Sequence, residues 1–325
     1  GMDPSYFTGG LSLSHDTGAL GDSDWSIVEG DEYQVSISDK RPKFVYYHPT
    51  HLLLTSVSWD HADLYPTEAD YFKVFENLVA KTNIIVVCDD DEGVKKVLKN
   101  KKAVTYGKTA GADYYFHDIS ATKAGLSFVI TNKGTDHAIS TPMLGRFNAE
   151  NIAGAFAMAC EIGIDPKSAI AAIEDFKGIK RRFEKRFEGN VTLLDCHAPT
   201  AEKAASMLES IREVYDKRII AVYEPNIGGR QRGSAHLYDG VFKNADLVII
   251  PHLTKLKISD KEVPMEGDEL AAIIAKTQPN TKYIEDDSEL VKTIVSEAKN
   301  EGDVIVFLGS HGFRGMIEET VKSLS

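Results

Sequence analysis

The sequence predicts an α/β protein built as two domains, and three observations support this prediction. Short apolar runs of strand length alternate with segments of helical periodicity, which indicates parallel strands joined by crossover helices. The chain has 325 residues, a length typical of two domains, and its 42% of apolar residues can form a sizeable core. A charge-dense segment, 177–186, separates two blocks of this alternation. We therefore expect domains at 1–183 and 184–325.

Charge and composition exclude several classes of protein. Lys and Arg number 37 against 49 Asp and Glu, a net charge of −12, which argues against a protein that coats nucleic acid but permits a local anion site. No apolar run approaches the roughly 18 residues of a membrane span, and the N-terminus lacks the basic-then-apolar pattern of a signal peptide. The cysteines Cys88, Cys160 and Cys196 are far apart in sequence, which predicts reduced thiols in a cytoplasmic protein.

The first half of the chain is expected to open with strands. Short strands are predicted at 25–29, which we expect to be buried, at 43–47 and at 52–57. A helix then begins after Thr67, because Thr is a preferred cap and Glu and Asp occupy the first turn. The continuous apolar run 84–88 is typical of a parallel strand covered on both faces.

The remainder of the first domain mixes helices with a β-rich stretch. A helix is predicted at 91–102, followed by a β-like region at 103–143 with a hairpin turn near 132–134. Two further helices are predicted at 148–162 and 166–176, the second with Asp as its cap and Pro at its first position.

The second domain repeats a strand–helix alternation. Its predicted elements are strands at 191–195, 218–223, 246–251 and 304–309 and helices at 200–215, 267–276 and 288–300. This order predicts a small doubly wound α/β domain with a parallel sheet, whose ligand site lies at the carboxyl ends of the strands.

Acidic residues and a histidine follow two strands of the first domain. Glu29, Asp31 and Glu32 could bind Mg²⁺ through carboxylate oxygens, or they could form a solvated acidic turn. Asp60 and His61 follow the strand at 52–57 and could join Glu29 at one metal ion, or could belong to a helix-capping cluster.

Amides and guanidinium groups provide further candidate sites. Asn148 and Asn151 lie three residues apart on one helical face and offer the donors and acceptors that adenine needs, although Asn148 could instead be an N-cap. Arg182, at the predicted domain junction, could contact phosphate, or the segment could be a solvated hinge. Arg230 and Arg232 belong to a Gly-rich loop, which predicts an anion clamp or a mobile basic loop.

Two further sequence features bear on nucleotide binding. His197 lies between a strand and the N-terminus of a helix, a favourable ligand position, although a lone histidine there is often structural. The segment 106–109 contains Gly-Lys-Thr, but Lys102 stands where a phosphate-binding loop requires glycine. No other part of the 325 residues fits the GxxxxGK[ST] pattern.

Taken in order, these motifs resemble the Mur ligases over nearly the whole chain. They are VEGDEY, WDHAD, GRFNAENIAGA, KRRFE, DCHAPT and a final VIVFLGS strand. KRRFE, and EPN followed by an Arg-containing loop, are most similar to the UDP-N-acetylmuramate–alanine and murein-peptide branch of the family. The resemblance implies a central ATP-binding domain, incomplete at its N-terminus because the phosphate loop and the UDP-sugar domain would precede it, followed by a Rossmann-like C-terminal domain.

The resemblance also implies an activity. A Mur ligase uses ATP to phosphorylate a carboxylate, and an amine then attacks the acyl phosphate to form an amide during peptidoglycan precursor synthesis. The implied substrates are ATP with Mg²⁺, UDP-N-acetylmuramate and either L-alanine or a murein peptide. Carried over by position, Glu29 and His61 are metal-binding catalytic residues, and Asn148, Asn151, Arg182 and His197 contact the nucleotide.

This chain departs from the family pattern in ways that keep other functions open. Alignment on Pro199 keeps His197 but loses the usual acidic pair, so Asp195 receives no role, and Lys73 is not assigned as a modified metal ligand. Because the phosphate loop is missing from these residues, we expect no ligase activity and weak ATP binding. The alternatives are a cyanophycin or folylpolyglutamate synthetase-type ligase, and a non-catalytic module that binds a nucleotide or peptide.

Overall fold

A computed structural model describes residues 2–61, 63–254 and 264–325. The chain forms two compact units, which divide between Lys177 and Gly178. This division precedes the predicted boundary by a few residues, so the segment 178–183 groups with the second unit. Within the described residues no helix combines the length and apolar character that crossing a lipid bilayer requires. The three cysteines carry free thiols.

The first unit opens with a small three-stranded sheet. Its strands are β1 (Ser5–Phe7), β2 (Gly18–Ala19) and β3 (Ser26–Val28), in the order β2-β1-β3. The predicted strand at 25–29 therefore exists, but the prediction that it is buried is wrong. Ile27 is 54% exposed, because β3 pairs only with β1 in this small sheet and no helix covers it among the described residues.

A second expectation for this region is also wrong. Residues Lys43–Tyr46 form a 3₁₀ helix instead of a strand. Pro42 precedes this helix with φ of −58°, and its carbonyl accepts a hydrogen bond from the Val45 amide, which closes a turn. Phe44 is then buried against Phe75, with ring centroids 5.4 Å apart.

A six-stranded mixed sheet forms the body of the first unit. Its strands, in spatial as well as chain order, are β4 (His51–Leu54), β5 (Ile84–Cys88), β6 (Val104–Gly107), β7 (Tyr114–Thr122), β8 (Gly125–Asn132) and β9 (Thr135–Thr141). Strands β4 to β7 are parallel, and β7 to β9 form antiparallel hairpins. Lys133 and Gly134 have positive φ values of 49° and 75°, as the turn of the predicted hairpin at 132–134 requires.

Four helices cover the two faces of this sheet. They are α1 (Glu68–Lys81), α2 (Glu92–Leu98), α3 (Phe147–Glu161) and α4 (Pro166–Asp175). Ile85 and Val87 pack in the cluster that contains α1 and α2, whereas Val86 and Cys88 pack in the cluster that contains α3. This alternation confirms that the apolar run of β5 is buried on both faces.

The second unit is a doubly wound α/β sheet. Its strands are β10 (Glu184–Glu188), β11 (Thr192–His197), β12 (Ile219–Glu224), β13 (Leu247–Pro251), β14 (Thr281–Ile284) and β15 (Val304–Gly309). The spatial order is β10-β11-β15-β12-β13-β14, and only β10 is antiparallel to its neighbour. The helices are α5 (Ala201–Val214), α6 (Gly267–Ile274), α7 (Asp287–Glu297) and α8 (Met316–Leu324).

This topology brings the carboxyl ends of four buried strands to one edge. Those strand ends are His197, Glu224, Pro251 and Gly309. His197 lies opposite Gly309 in the parallel register of β11 and β15, and Glu224 lies opposite Gly309 in that of β12 and β15. Ligands of doubly wound sheets bind at this edge, so a ligand site of the second unit is expected here.

Candidate functional site

The carboxylates of Glu29, Asp31 and Glu32, in the acidic turn after β3, each have a different partner. Glu29 accepts a hydrogen bond from the Gly9 amide at 2.5 Å. Asp31 forms an ion pair with Lys43 at 2.6 Å. Burial raises the pKa of Asp31, but the hydrogen bond from Lys43 opposes this, and the resulting pKa lies below its usual value. Glu29, the predicted metal ligand, is therefore already bonded to the backbone of the segment that follows β1.

His61 lies beside a different acid of the same turn. Its Nε2 is 3.3 Å from Glu32 Oε1, and its ring packs on Tyr33 with centroids 4.7 Å apart. The backbone of His61 is left-handed, with φ of 54°, which is strained for a residue with a Cβ. The structure thus pairs His61 with Glu32, one of the three acids that the sequence offered for Mg²⁺, whereas the predicted partner of His61 was Glu29.

The donors around His61 fit a partly hydrated Mg²⁺. Mg²⁺ is held by one or two carboxylates together with water and phosphate oxygens. Glu32 supplies a carboxylate oxygen beside the His61 nitrogen, and both side chains are about 30% exposed, which leaves room for water and phosphate.

A second group of potential metal ligands lies between the end of β5 and the first turn of α3. Among the described residues, one group of three such side chains falls within 4.8 Å, namely Cys88, Asp90 and Glu150. Its carboxylates already have partners, because Asp90 accepts from the Lys108 amide at 2.7 Å and Glu150 pairs with Lys108 Nζ at 3.3 Å. Burial raises the pKa of the Cys88 thiol to about 11, which opposes thiolate formation.

The predicted asparagines lie in the first turns of α3. Asn148 is buried, and its amide donates to the Leu144 carbonyl at 2.7 Å. Asn151 is exposed and donates to Asn148 Oδ1 at 3.2 Å. The helix begins at Phe147 with Arg146 as its N-cap, so the alternative of Asn148 as an N-cap is wrong. Asn148 orients Asn151, and Asn151 is the residue that presents an amide to solvent.

Four basic side chains lie near the carboxyl end of β11 in the second unit. His197 is the last residue of β11, and its amide donates to the Arg181 carbonyl, which brings Arg182 next to it. Lys203 lies in the first turn of α5, where its amide donates to the Thr200 cap. His311 follows the end of β15, the strand paired with β11. We call Arg182, His197, Lys203 and His311 the cation cluster.

The electrostatics of His197 reflect this cluster. Burial lowers the pKa of His197 below its usual value, and the charges of Arg181, Arg182, Lys203 and His311 lower it further. Arg182, Lys203 and His311 are exposed and form no ion pair within the described part of the chain. In a protein of net charge −12, unpaired cations concentrated at a strand end favour an anionic ligand. The sequence identified Arg182 and His197 here but not Lys203 or His311.

Arg230 and Arg232, predicted as an anion clamp, have protein partners instead. Arg230 is 3% exposed and donates to the carbonyls of Met265 at 3.2 Å and Thr254 at 2.8 Å. Arg232 donates to both carboxylate oxygens of Glu269, at 3.0 and 3.1 Å. Arg230 therefore fastens its loop to the segment after β13, and only Arg232 is exposed enough to exchange its partner for a ligand.

Comparisons with known proteins agree with the order of these two units. Residues 22–159 match the model of the Mur ligase middle domain, and residues 181–311 match that of the Mur ligase glutamate ligase domain. The UDP-N-acetylmuramate–L-alanine ligase of Clavibacter michiganensis is 30% identical over 336 aligned residues, which cover 100% of this chain and 67% of that protein.

Solved structures show the same fold. The UDP-N-acetylmuramate–alanine ligase MurC of Thermotoga maritima superposes with a TM-score of 0.78 at 22% identity, covering 99% of this chain and 69% of that one. MurF ligase of Thermotoga maritima, whose structure was determined in complex with ADP, has a TM-score of 0.69 at 15% identity and covers 99% and 75%. The matched domains and the relative at 30% identity show that this chain belongs to the Mur ligase family.

Proposed function

We propose that this chain is the nucleotide- and amine-handling part of an ATP-dependent ligase of peptidoglycan precursor synthesis or recycling. The substrates would be ATP, UDP-N-acetylmuramate and L-alanine or a murein peptide. The observation that carries the proposal is the cation cluster at the carboxyl end of β11, in a chain whose relative from Clavibacter is named as an alanine ligase. A cytoplasmic location follows from the nature of these substrates.

The proposed reaction has two steps. Transfer of the γ-phosphoryl group of ATP to the muramate carboxylate gives an acyl phosphate and ADP. The amine then attacks the acyl carbon, and collapse of the tetrahedral intermediate releases phosphate and leaves an amide. Both steps bring anions together, so the protein must supply positive charge and hold the reactants in place.

The candidate residues divide this work between them. Arg182 and His197 would bind the nucleotide, with Lys203 and His311 adding positive charge. Asn151, oriented by Asn148, would hydrogen-bond the adenine or ribose. Arg232 would bind the carboxylate of the amine substrate. Bound Mg²⁺ would neutralise phosphate charge, and Glu29, Glu32 and His61 are the residues that would hold it.

We also propose that these 325 residues bind ATP weakly and do not ligate by themselves. They contain no GxxxxGK[ST] segment, and the backbone amides and lysine of such a loop hold the β- and γ-phosphates. Calorimetric titration with ATP should therefore show no micromolar binding. Micromolar affinity, or amide formation from the proposed substrates, would contradict this proposal.

The nucleotide role is tested by titrating the 325-residue chain with ADP and following the histidine ring signals by NMR, which detects millimolar binding. The His197 signal should shift, and Arg182→Ala should weaken ADP binding about tenfold, because a hydrogen bond to a charged group is lost. Lys276→Ala is the control, since Lys276 follows α6 at the opposite edge of the sheet. Equal ADP affinity in Arg182→Ala and Lys276→Ala would refute the role of the cluster.

A further inference from the structure

Arg181 belongs to the KRRFE motif, in which only Arg182 was assigned a nucleotide role, and it connects three stretches of the second unit. Its Nε donates to Asp195 Oδ1 at 3.2 Å. Its Nη1 donates to the Ser310 carbonyl at 3.1 Å, and its Nη2 donates to the carbonyls of Gly309 at 2.9 Å and His311 at 2.8 Å. One guanidinium group therefore binds three consecutive carbonyls at the end of β15 and connects them to Asp195 on β11.

The backbone of Arg181 adds two further connections. Its carbonyl accepts the hydrogen bond from the His197 amide, and its own amide donates to Glu184 Oε2 at 2.9 Å. The residue has a φ of 59°, a left-handed conformation that is unfavourable for a side chain with a Cβ. Such a conformation persists where surrounding contacts stabilise it, and here the stabilising contacts come from β11 and from the end of β15.

The partner of Arg181 on β11 is a buried acid. Asp195 is 2% exposed and also lies 3.7 Å from Arg186. Burial raises the pKa of Asp195, while the charge and the hydrogen bond of Arg181 oppose that rise. Asp195, to which the family resemblance assigned no role, thus anchors the Arg181 side chain through its Nε, while the two terminal nitrogens bind the carbonyls.

These contacts bear on the cation cluster because its members are attached to the same backbone segments. Arg182 is the next residue along the chain, the His197 amide bonds to Arg181, and the His311 carbonyl is one of the three that Arg181 holds. A planar guanidinium with five donors can reach an acid and three carbonyls together, whereas a lysine ammonium has three donors at one point.

We propose that Arg181 is a positioning residue, which fixes Arg182, His197 and His311 at the spacing that binds the phosphates of a nucleotide. Arg181 itself is occupied by protein groups and does not contact the ligand. The inference rests on the proposed nucleotide role of the cation cluster, and it assigns to Arg181 the role of holding the cluster together.

The test compares Arg181→Lys with Arg218→Lys in the full 325-residue chain. Arg218 donates to the carbonyl and the carboxylate of Glu297, at 2.9 and 2.8 Å, so its replacement removes similar hydrogen bonds. It precedes β12, which places it at the opposite edge of the same sheet. Both variants keep the positive charge, and both are titrated with ADP while the His197 and His311 ring signals are followed by NMR.

Arg181→Lys should weaken ADP binding about tenfold, because a displaced Arg182 or His197 would lose a hydrogen bond to the charged phosphate, whereas Arg218→Lys should not. The midpoint of the His197 ring titration should also move in Arg181→Lys alone, because the neighbouring cations are displaced although the total charge is unchanged. A general loss of stability would affect the two variants alike.

The possible outcomes separate the two proposals. If Arg182→Ala weakens ADP binding and Arg181→Lys leaves both ADP affinity and the His197 titration as in Arg218→Lys, the positioning inference is refuted and the nucleotide role stands. If Arg182→Ala also has no effect, the nucleotide role itself is refuted. Should Arg181→Lys not fold, Asp195→Asn replaces it, since it keeps the shape of the anchor and removes its charge, and the same two readouts decide.

Discussion

At the scale of single residues, His197 shows how burial and charge combine at the end of a strand. It is partly buried, it follows the fully buried Cys196, and four cations lower its pKa. The neutral imidazole is therefore the form that the folded protein favours. Binding of the proposed phosphate ligand would raise the pKa of His197 again, because the negative charge of the phosphate stabilises the imidazolium ion.

This lowered pKa predicts how stability changes with pH. The unfolded chain binds a proton at His197 near the ordinary histidine pKa of about 6.5, and the folded chain has a lower pKa there, so stability should fall as the pH decreases below that value. Urea denaturation at pH 7.5 and 5.5 measures the effect. His197→Gln should reduce the difference in the free energy of unfolding between pH 7.5 and pH 5.5. An unchanged difference in that variant would contradict the prediction.

At the scale of elements, the first turn of α2 connects this helix to the segment that follows β4. Asp91 caps it by accepting from the Val94 amide at 2.7 Å, and the same oxygen accepts from the Val57 amide at 3.2 Å. Gly93 allows the close approach, because a Cβ there would overlap the Val57 carbonyl oxygen. The position of the segment after β4, which leads to His61, thus depends on a glycine in a neighbouring helix.

Gly93→Ala should therefore destabilise the protein. Alanine improves helix propensity by about 1 kcal/mol, but steric overlap with a backbone carbonyl opposes this by about 3 kcal/mol. The net loss in the free energy of unfolding should be about 2 kcal/mol, measured by urea denaturation. Gly111→Ala is the matched control, because no atom lies within 4 Å of a Cβ built at that position. Equal stability of the two variants would contradict the argument.

At the scale of the whole molecule, burial is distributed unevenly along the chain. Every residue of β12, β13 and β15 is buried, whereas β2 and β3 are exposed along their length. Large exposed apolar side chains are also concentrated near the start of the chain, with Leu20 at 95% and Ile37 at 92% exposure. Opening of the small sheet therefore exposes little additional apolar surface.

Amide hydrogen exchange should follow this distribution. The amides of β12, β13 and β15 should exchange slowest, because they open only with the unfolding of their unit, and those of β1 to β3 should exchange fastest among the strands. Exchange followed by mass spectrometry of peptides gives the ranking. Protection of residues 5–28 equal to that of residues 219–224 would show that burial does not govern opening here.

The sequence by itself determined the elements whose signals are local. The five-residue apolar run of β5, the caps Thr67 and Asp165, and the hairpin at 132–134 are all in the structure as predicted. Strands β10 and β14 and helix α8 were not predicted. β10 is charged along most of its length and β14 has only four residues, so neither gives a periodic signal.

Only the tertiary structure decided which side chains meet. The sequence offered Glu29 as the partner of His61, and the fold brings Glu32 there. It offered Arg182 as the contact residue, and the fold shows that the preceding Arg181 holds carbonyls about 130 positions away. Such pairings depend on strand order and on the conformation of loops between distant segments, which local periodicity does not encode. The sequence therefore determined the family and the elements with local signals, and the pairing of β11 with β15 determined the partners of Arg181.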